Sequence, residues 1–301
     1  MANSSLPGAK FVDPVVLSRI GNLELIAKTV VDGLINGTHR APFYGASVDF
    51  AEHRGYVPGD DIRRLDWRVY ARTDKYYIKE FEADSNANFS VLLDVSKSMG
   101  FGSKISKLDY AKTLAACLAY LANAQRDRVG LITFDEAVIE HIPPSAKHLD
   151  VVLHALDRAK ASKPGQLVAP LRKLAEHFGR RGIIVVISDF YAEPEEIFHA
   201  VGPIVHRGND VVLFHVMDPQ EIDFSFSEPS SFEDMESGDQ MPIVPSKLAA
   251  DYRALVQAHI ETLTKKAAQQ PVDYILLNTS MPLDYALFRF LSMRQRLART
   301  R

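Results

Sequence analysis

The chain has 301 residues, 47% hydrophobic and 24% charged, with a formal net charge of -3. These proportions suit an ordinary globular protein and exclude a global electrostatic pull toward nucleic acid or anionic lipid. The single cysteine, Cys117, excludes an intramolecular disulfide, and its helical spacing with Leu114, Leu118 and Leu121 marks it as a small core residue.

The segment Met1 to Ala9 has neither the basic stretch nor the apolar core of a signal peptide, and no uncharged apolar run approaches membrane-spanning length. The expected location is therefore the cytoplasm. Apolar positions from Val16 through Ile20, Leu23, Ala27, Val30, Val31 and Leu34 repeat at three and four residues, which predicts one long amphipathic helix closed near Gly37. Between Ala41 and Asp84 glycines, prolines, tyrosines and dense charge predict loops and short strands, one of them Tyr76 to Glu82. Residues 1–84 thus read as a helix plus a small β-containing module.

Residues 85–301 alternate strand and helix: a strand at Phe89–Asp94, a helix at 107–123, and strands at Arg128–Phe134 and Ala137–Ile142. Helices near 149–160 and 168–178, a strand at Gly182–Ser188, a helix near 194–206 and a strand at Asp210–Val216 follow. Near-continuous apolar strands are buried on both faces, so the fold class is α/β with a doubly wound sheet. An acidic, irregular insertion at about 218–245 carries Phe224, Phe226 and Phe232, which predict packing, with the N-terminal module as the neighbour. Helix and strand resume at 246–269 and 272–277, and a last helix at 283–297 ends in Arg294, Arg296, Arg299 and Arg301, read as a solvated helix end.

Chemistry concentrates where strands end. Asp94, Ser96 and Ser98 follow an apolar strand directly; one carboxylate and two hydroxyls are hard donors suited to Mg²⁺ or Mn²⁺. The same residues also serve as helix caps or turn formers, and both readings stand on sequence alone. Asp189, after the strand 182–188, is a second strand-end acid that either joins the first loop or caps the helix near Pro194.

A phosphotransferase using Asp94 as nucleophile needs a second carboxylate two residues on, where this chain has Ser96. The chain also lacks a G-x-S-x-G elbow, a phosphate-binding loop and an H-E-x-x-H helix, so a Mg²⁺-dependent hydrolase is the alternative and a non-enzymatic role the main expectation. Ten dispersed histidines show no zinc spacing.

Residues 55–72 interleave Asp60, Asp61 and Asp66 with Arg63, Arg64, Arg68 and Arg72 around the only tryptophan, Trp67. Mixed signs favour internal ion pairs with Trp67 as an apolar anchor, tying the small module to the α/β domain; partner binding is the other reading.

The ordered motifs Gly59-Asp60-Asp61-Ile62-Arg63-Arg64-Leu65-Asp66-Trp67, Asp94-x-Ser96-x-Ser98-Met99, Arg128-Val129-Gly130-Leu131, Ser188-Asp189-Phe190 and His215-Val216-Met217-Asp218-Pro219-Gln220-Glu221 resemble the bacterial domain of unknown function 58 family. The resemblance implies a Rossmann-like, von Willebrand factor A-type core with a metal-ion-dependent adhesion site of Asp94, Ser96, Ser98 and Asp189. There a partner's carboxylate completes the shell of Mg²⁺ or Mn²⁺. It also implies pairing with a MoxR-type AAA+ ATPase, as an adaptor or co-chaperone. The matching middle loop, Lys163 to Leu171, places Gly165 or Gln166 where such sites supply a threonine, leaving Gln166, Ser162 or water to substitute.

Overall fold

The structure, a computed structural model, describes residues 13–17, 21–37, 50–56, 65–81, 87–178, 181–226, 230–233, 240–243 and 245–300. Asp60, Asp61, Arg63 and Arg64 lie outside the described residues.

The apolar strand runs expected from 85 onward form one six-stranded sheet of β3 (Asn88–Asp94), β4 (Arg128–Phe134), β5 (Val138–Ser145), β6 (Gly182–Ser188), β7 (Asp210–Met217) and β10 (Val272–Asn278), after a separate two-stranded ribbon of β1 (Phe50–Gly55) and β2 (Tyr77–Phe81). The spatial order is β10-β7-β6-β3-β4-β5, parallel throughout except for the β4–β5 hairpin at one edge. Order therefore reverses between β3 and β6, and in such a sheet the crevice at that reversal, beyond the strands' carboxyl ends, is where ligands bind. This is the doubly wound α/β architecture that the strand–helix alternation predicted.

Helices cover both faces because the strands are apolar on both. One core joins Phe89, Val91 and Leu93 of β3 to α4 (Lys107–Ala124), α5 (Leu149–Arg158) and α10 (Leu283–Thr300). The opposite core joins Leu92 to α6 (Val168–Ala175), α7 (Pro194–His206) and α9 (Pro245–Ala268). Cys117 is fully buried in α4, as its spacing predicted, and that burial pushes its thiol up to about 12.

The N-terminal helix differs from expectation. It is two pieces, α1 (Pro14–Leu17) and α2 (Leu23–Gly37). Gly21 has a positive φ of 23°, and Asn22 caps the second piece through its side-chain oxygen, which accepts from Leu25 N at 3.0 Å. A helical period continues across a break when both pieces dock on one surface. Here Leu17 of α1 and Ile26, Ala27, Val30, Val31 and Leu34 of α2 enter the same core as α4.

Three further expectations change. Trp67 opens the helix α3 (Trp67–Thr73) and is 60% exposed, so it is not a buried anchor; Asp66 is buried and caps that helix, accepting from Val69 N, while Arg72 is exposed. The insertion contains α8 (Pro219–Asp223), β8 (Ser230–Glu233) and β9 (Gln240–Ile243). Its phenylalanines stack on one another and on Tyr252 of α9, with Phe224 and Tyr252 ring centres 4.6 Å apart; among the described ring contacts none reaches the N-terminal module. Arg294 is also no solvated end: it donates to Gln125 Oε1 at 2.7 Å and pairs with the buried Asp127 at 3.4 Å, closing α10 over the start of β4.

Candidate functional site

At the reversal point, β3 delivers Asp94 and β6 delivers Ser188 and Asp189 side by side, because Leu93 and Ile187 are paired in register. Asp94 is buried, its Oδ1 accepting from Ser96 N at 2.9 Å and its Oδ2 from Ser188 Oγ at 2.6 Å. The chain then makes a short 3₁₀ turn, Lys97–Gly100, which places Ser96 Oγ and Ser98 Oγ 3.0 Å apart. The middle loop reaches the same place: Lys97 N donates to Lys163 O at 2.7 Å and Gln166 N to Asp135 O at 3.1 Å.

Three of the expected loops thus converge, and the capping reading of Asp189 falls away, since the N-cap of α7 is Glu193 and no side chain caps the helix. The local-turn reading of Asp94 coexists with the site reading. Its bond from Ser96 N holds the carboxylate against the start of the turn that carries Ser96 and Ser98.

Burial, and then the neighbouring Asp189, push the Asp94 carboxyl up to about 7, against the lowering effect of its bonds from Ser188 and Ser96. Among the described residues Asp94 forms no ion pair, and its hydrogen-bond donors are neutral. Among the described residues it is a buried carboxylate without a counter-cation.

Asp189 has one, in a residue the sequence did not single out. Lys107, with a side chain 0% exposed, donates to Asp189 Oδ2 at 2.8 Å and to Glu221 Oε1 at 2.7 Å. Its ammonium lies 4.8 Å from the centre of the Tyr191 ring. Ser106 caps α4 by accepting from Asp109 N, which makes Lys107 the first helical residue, at the positive end of the helix dipole. Burial alone would pull this ammonium's pKa down; Asp189 and Glu221 outweigh burial and raise it, so it stays charged. Glu221 is held in turn by α8: its Oε2 accepts from Asp218 N, and Asp218, fully buried, accepts from Ser103 and Thr279.

The wall behind Asp189 is unusual. Phe190 has φ 51°, a left-handed conformation strained for a bulky residue, and its carbonyl lies 3.1 Å from His259 Nε2. His215, paired in register with Ser188, is fully buried. Its Nδ1 lies 2.6 Å from the Tyr274 hydroxyl, whereas Nε2 has no hydrogen-bond partner among the described residues. Burial holds its pKa down at about 3, so the imidazole is neutral.

Asp94, Ser96 and Ser98 fit a hard divalent ion by donor type. The middle loop adds no threonine, one of the two Asp189 oxygens, Oδ2, carries Lys107, and among the described residues no group of three His, Cys, Asp or Glu is arranged to hold a metal. The fit is that of a one-carboxylate site. Among the described residues no helix is long and apolar enough to cross a membrane.

Residues 52–262 match the model of a family described as a protein of unknown function, DUF58. Uncharacterized proteins of Mycobacterium tuberculosis (Rv1480) and Mycobacterium bovis (Mb1516) are each 28% identical over 292 residues, 94% of this chain and 91% of theirs. Among solved structures, the conserved hypothetical protein BatB from Bacteroides thetaiotaomicron aligns at 17% identity and TM-score 0.47, over 71% of this chain and 99% of that one. The von Willebrand A domain of SpRpn10 aligns at 10% and 0.39, over 67% and 93%.

Proposed function

The chain belongs to the DUF58 family, and from that premise we propose that it is a non-enzymatic interaction module of the cytoplasm, an adaptor for a MoxR-type AAA+ ATPase. In this reading Asp94, Ser96 and Ser98 hold Mg²⁺ or Mn²⁺ and an acidic side chain of the partner docks on the ion. The observation that carries it is the buried Asp94 carboxylate at the sheet's carboxyl edge, which is bonded by Ser96, whose hydroxyl pairs with that of Ser98, and which has no cation of its own among the described residues. A bound ion would supply the missing positive charge and an open coordination position. The chain's own residues do the rest: Ser188 and Ser96 N orient Asp94, and the Lys163 carbonyl pins the loop.

Co-purification with the MoxR-type ATPase of the same genome, with Mg²⁺ and nucleotide present, tests the partnership. Association that is lost in Asp94→Ala supports it; absence of association from a folded protein ends it. The alternative, a Mg²⁺-dependent hydrolase or phosphotransferase using Asp94, lacks an acid–base group at the needed spacing, because Ser96 there bonds Ser98. Turnover of a phosphorylated substrate that vanishes in a folded Asp94→Asn would reverse the ranking.

A further inference from the structure

We infer that Lys107 is a tethered counter-cation that occupies Asp189, so that Asp189 is not a ligand of the ion at Asp94 and Lys107 sets how weakly that ion is held. This deepens the cation-site reading above and rests on it.

The geometry points one way. Two carboxylates from different elements, Asp189 just after β6 and Glu221 of α8, both reach the Lys107 ammonium at hydrogen-bond distance, and the side chain of Lys107 has no exposure to solvent. An ammonium is costly both at a helix N-terminus and inside a protein, and these contacts offset the two costs. The same bonds commit an Asp189 oxygen to nitrogen. A divalent ion on that oxygen, Oδ2, would have to displace the ammonium, and one on Oδ1 would sit beside a buried positive charge in a low-dielectric setting.

Charge counting agrees. Asp189, Glu221 and Lys107 together leave one negative charge, and Asp94 adds a second. An ion bound to Asp94 and the hydroxyls therefore neutralises the cluster with Lys107 in place. The ion is then held by a single protein carboxylate, and fewer charged ligands mean lower affinity. Ion occupancy would depend on a partner's carboxylate, which is how a docking site is made conditional on its partner.

Calorimetric titration of the full chain with Mn²⁺ alone tests this in four forms: wild type, Asp94→Asn, Asp189→Asn and Lys107→Met. Asp189→Asn keeps the side-chain shape and leaves Lys107 paired with Glu221, so its arm stands even if Lys107→Met fails to fold. The expected results are loss of binding in Asp94→Asn, near-wild-type affinity in Asp189→Asn, and binding at least about tenfold tighter in Lys107→Met, where Asp189 is released to the ion. A loss of about tenfold or more in Asp189→Asn, or a folded Lys107→Met without gain, overturns the inference. Failure of the underlying reading looks different: wild type binds no Mn²⁺. In that event, Mn²⁺ binding gained by Lys107→Met would support Lys107 as the ion's replacement, and a folded Lys107→Met that stays silent would overturn the inference as well.

Discussion

Replacing Asp94 by asparagine should stabilise the metal-free protein at alkaline pH, although it removes a residue assigned to the site. The carboxyl is 5% exposed and its pKa is raised from 3.8 to about 7 by burial first and Asp189 second. A raised carboxylate leaves the folded state binding a proton that the unfolded chain has released. Stability from this group is complete below 3.8, declines as pH rises, and is lost above about 7. At about 1.4 kcal/mol per pH unit the difference amounts to roughly 4 kcal/mol at pH 8. Asparagine avoids most of this cost. Its oxygen still accepts from Ser96 N, and its amide donates to Ser188 Oγ, which turns to accept.

The expected outcome is a melting temperature higher by about 6 °C for Asp94→Asn at pH 8 in chelator, a difference that shrinks toward zero by pH 4. Millimolar Mg²⁺ should raise the wild type and leave the variant unchanged, because only the native wild type binds the ion. Differential scanning calorimetry across pH checks this. A variant that melts lower at pH 8, or a difference independent of pH, would refute the picture of an uncompensated buried charge.

In the Asp94→Asn background the opposing effect of His215 becomes visible. Its folded-state pKa of about 3 against an ordinary 6.5 means the unfolded chain takes up a proton as pH falls, so stability declines below about 6.5, by roughly 2 kcal/mol between pH 7.5 and pH 5 in urea unfolding. His215→Gln should flatten that limb. Arg294→Ala should cost about 1–3 kcal/mol, since Asp127, 1% exposed, loses the guanidinium that offsets its burial; Arg294→Lys should recover part of the loss. Gly102→Ala should destabilise by about 1–3 kcal/mol, because an added Cβ would overlap the carbonyl of Ile105 in the loop that carries Ser103 to Asp218.

The fold was legible wherever burial and local period coincide. Buried strands such as 89–94 and 182–188 and the helix over 107–124 hold their limits to within a residue or two. Strand ends also exposed Asp94 and Asp189, since an acid directly after an apolar run is a local signal. Lys107 was invisible for the opposite reason: a lysine opening a helix reads as solvated. What buries it are Asp189 and Glu221, 82 and 114 residues away in sequence. The cue available was paired acids with no partner, at Asp189 and in Asp218-Pro219-Gln220-Glu221. Trp67 misled because composition says a tryptophan seeks cover, whereas its place as the first residue of α3 turns it outward. The break at Gly21 was masked because both helical pieces dock on the same core and so keep one apolar period.

The central claim is that an ion at Asp94 mediates docking of an acidic partner. Its most direct test is the affinity of the MoxR-type ATPase for this protein, measured by surface-based binding in Mg²⁺ and in chelator, for wild type and Asp94→Asn. Binding in Mg²⁺ should fall by at least about tenfold in chelator and be equally weak for Asp94→Asn in both buffers. Equal affinity across all four conditions would contradict it.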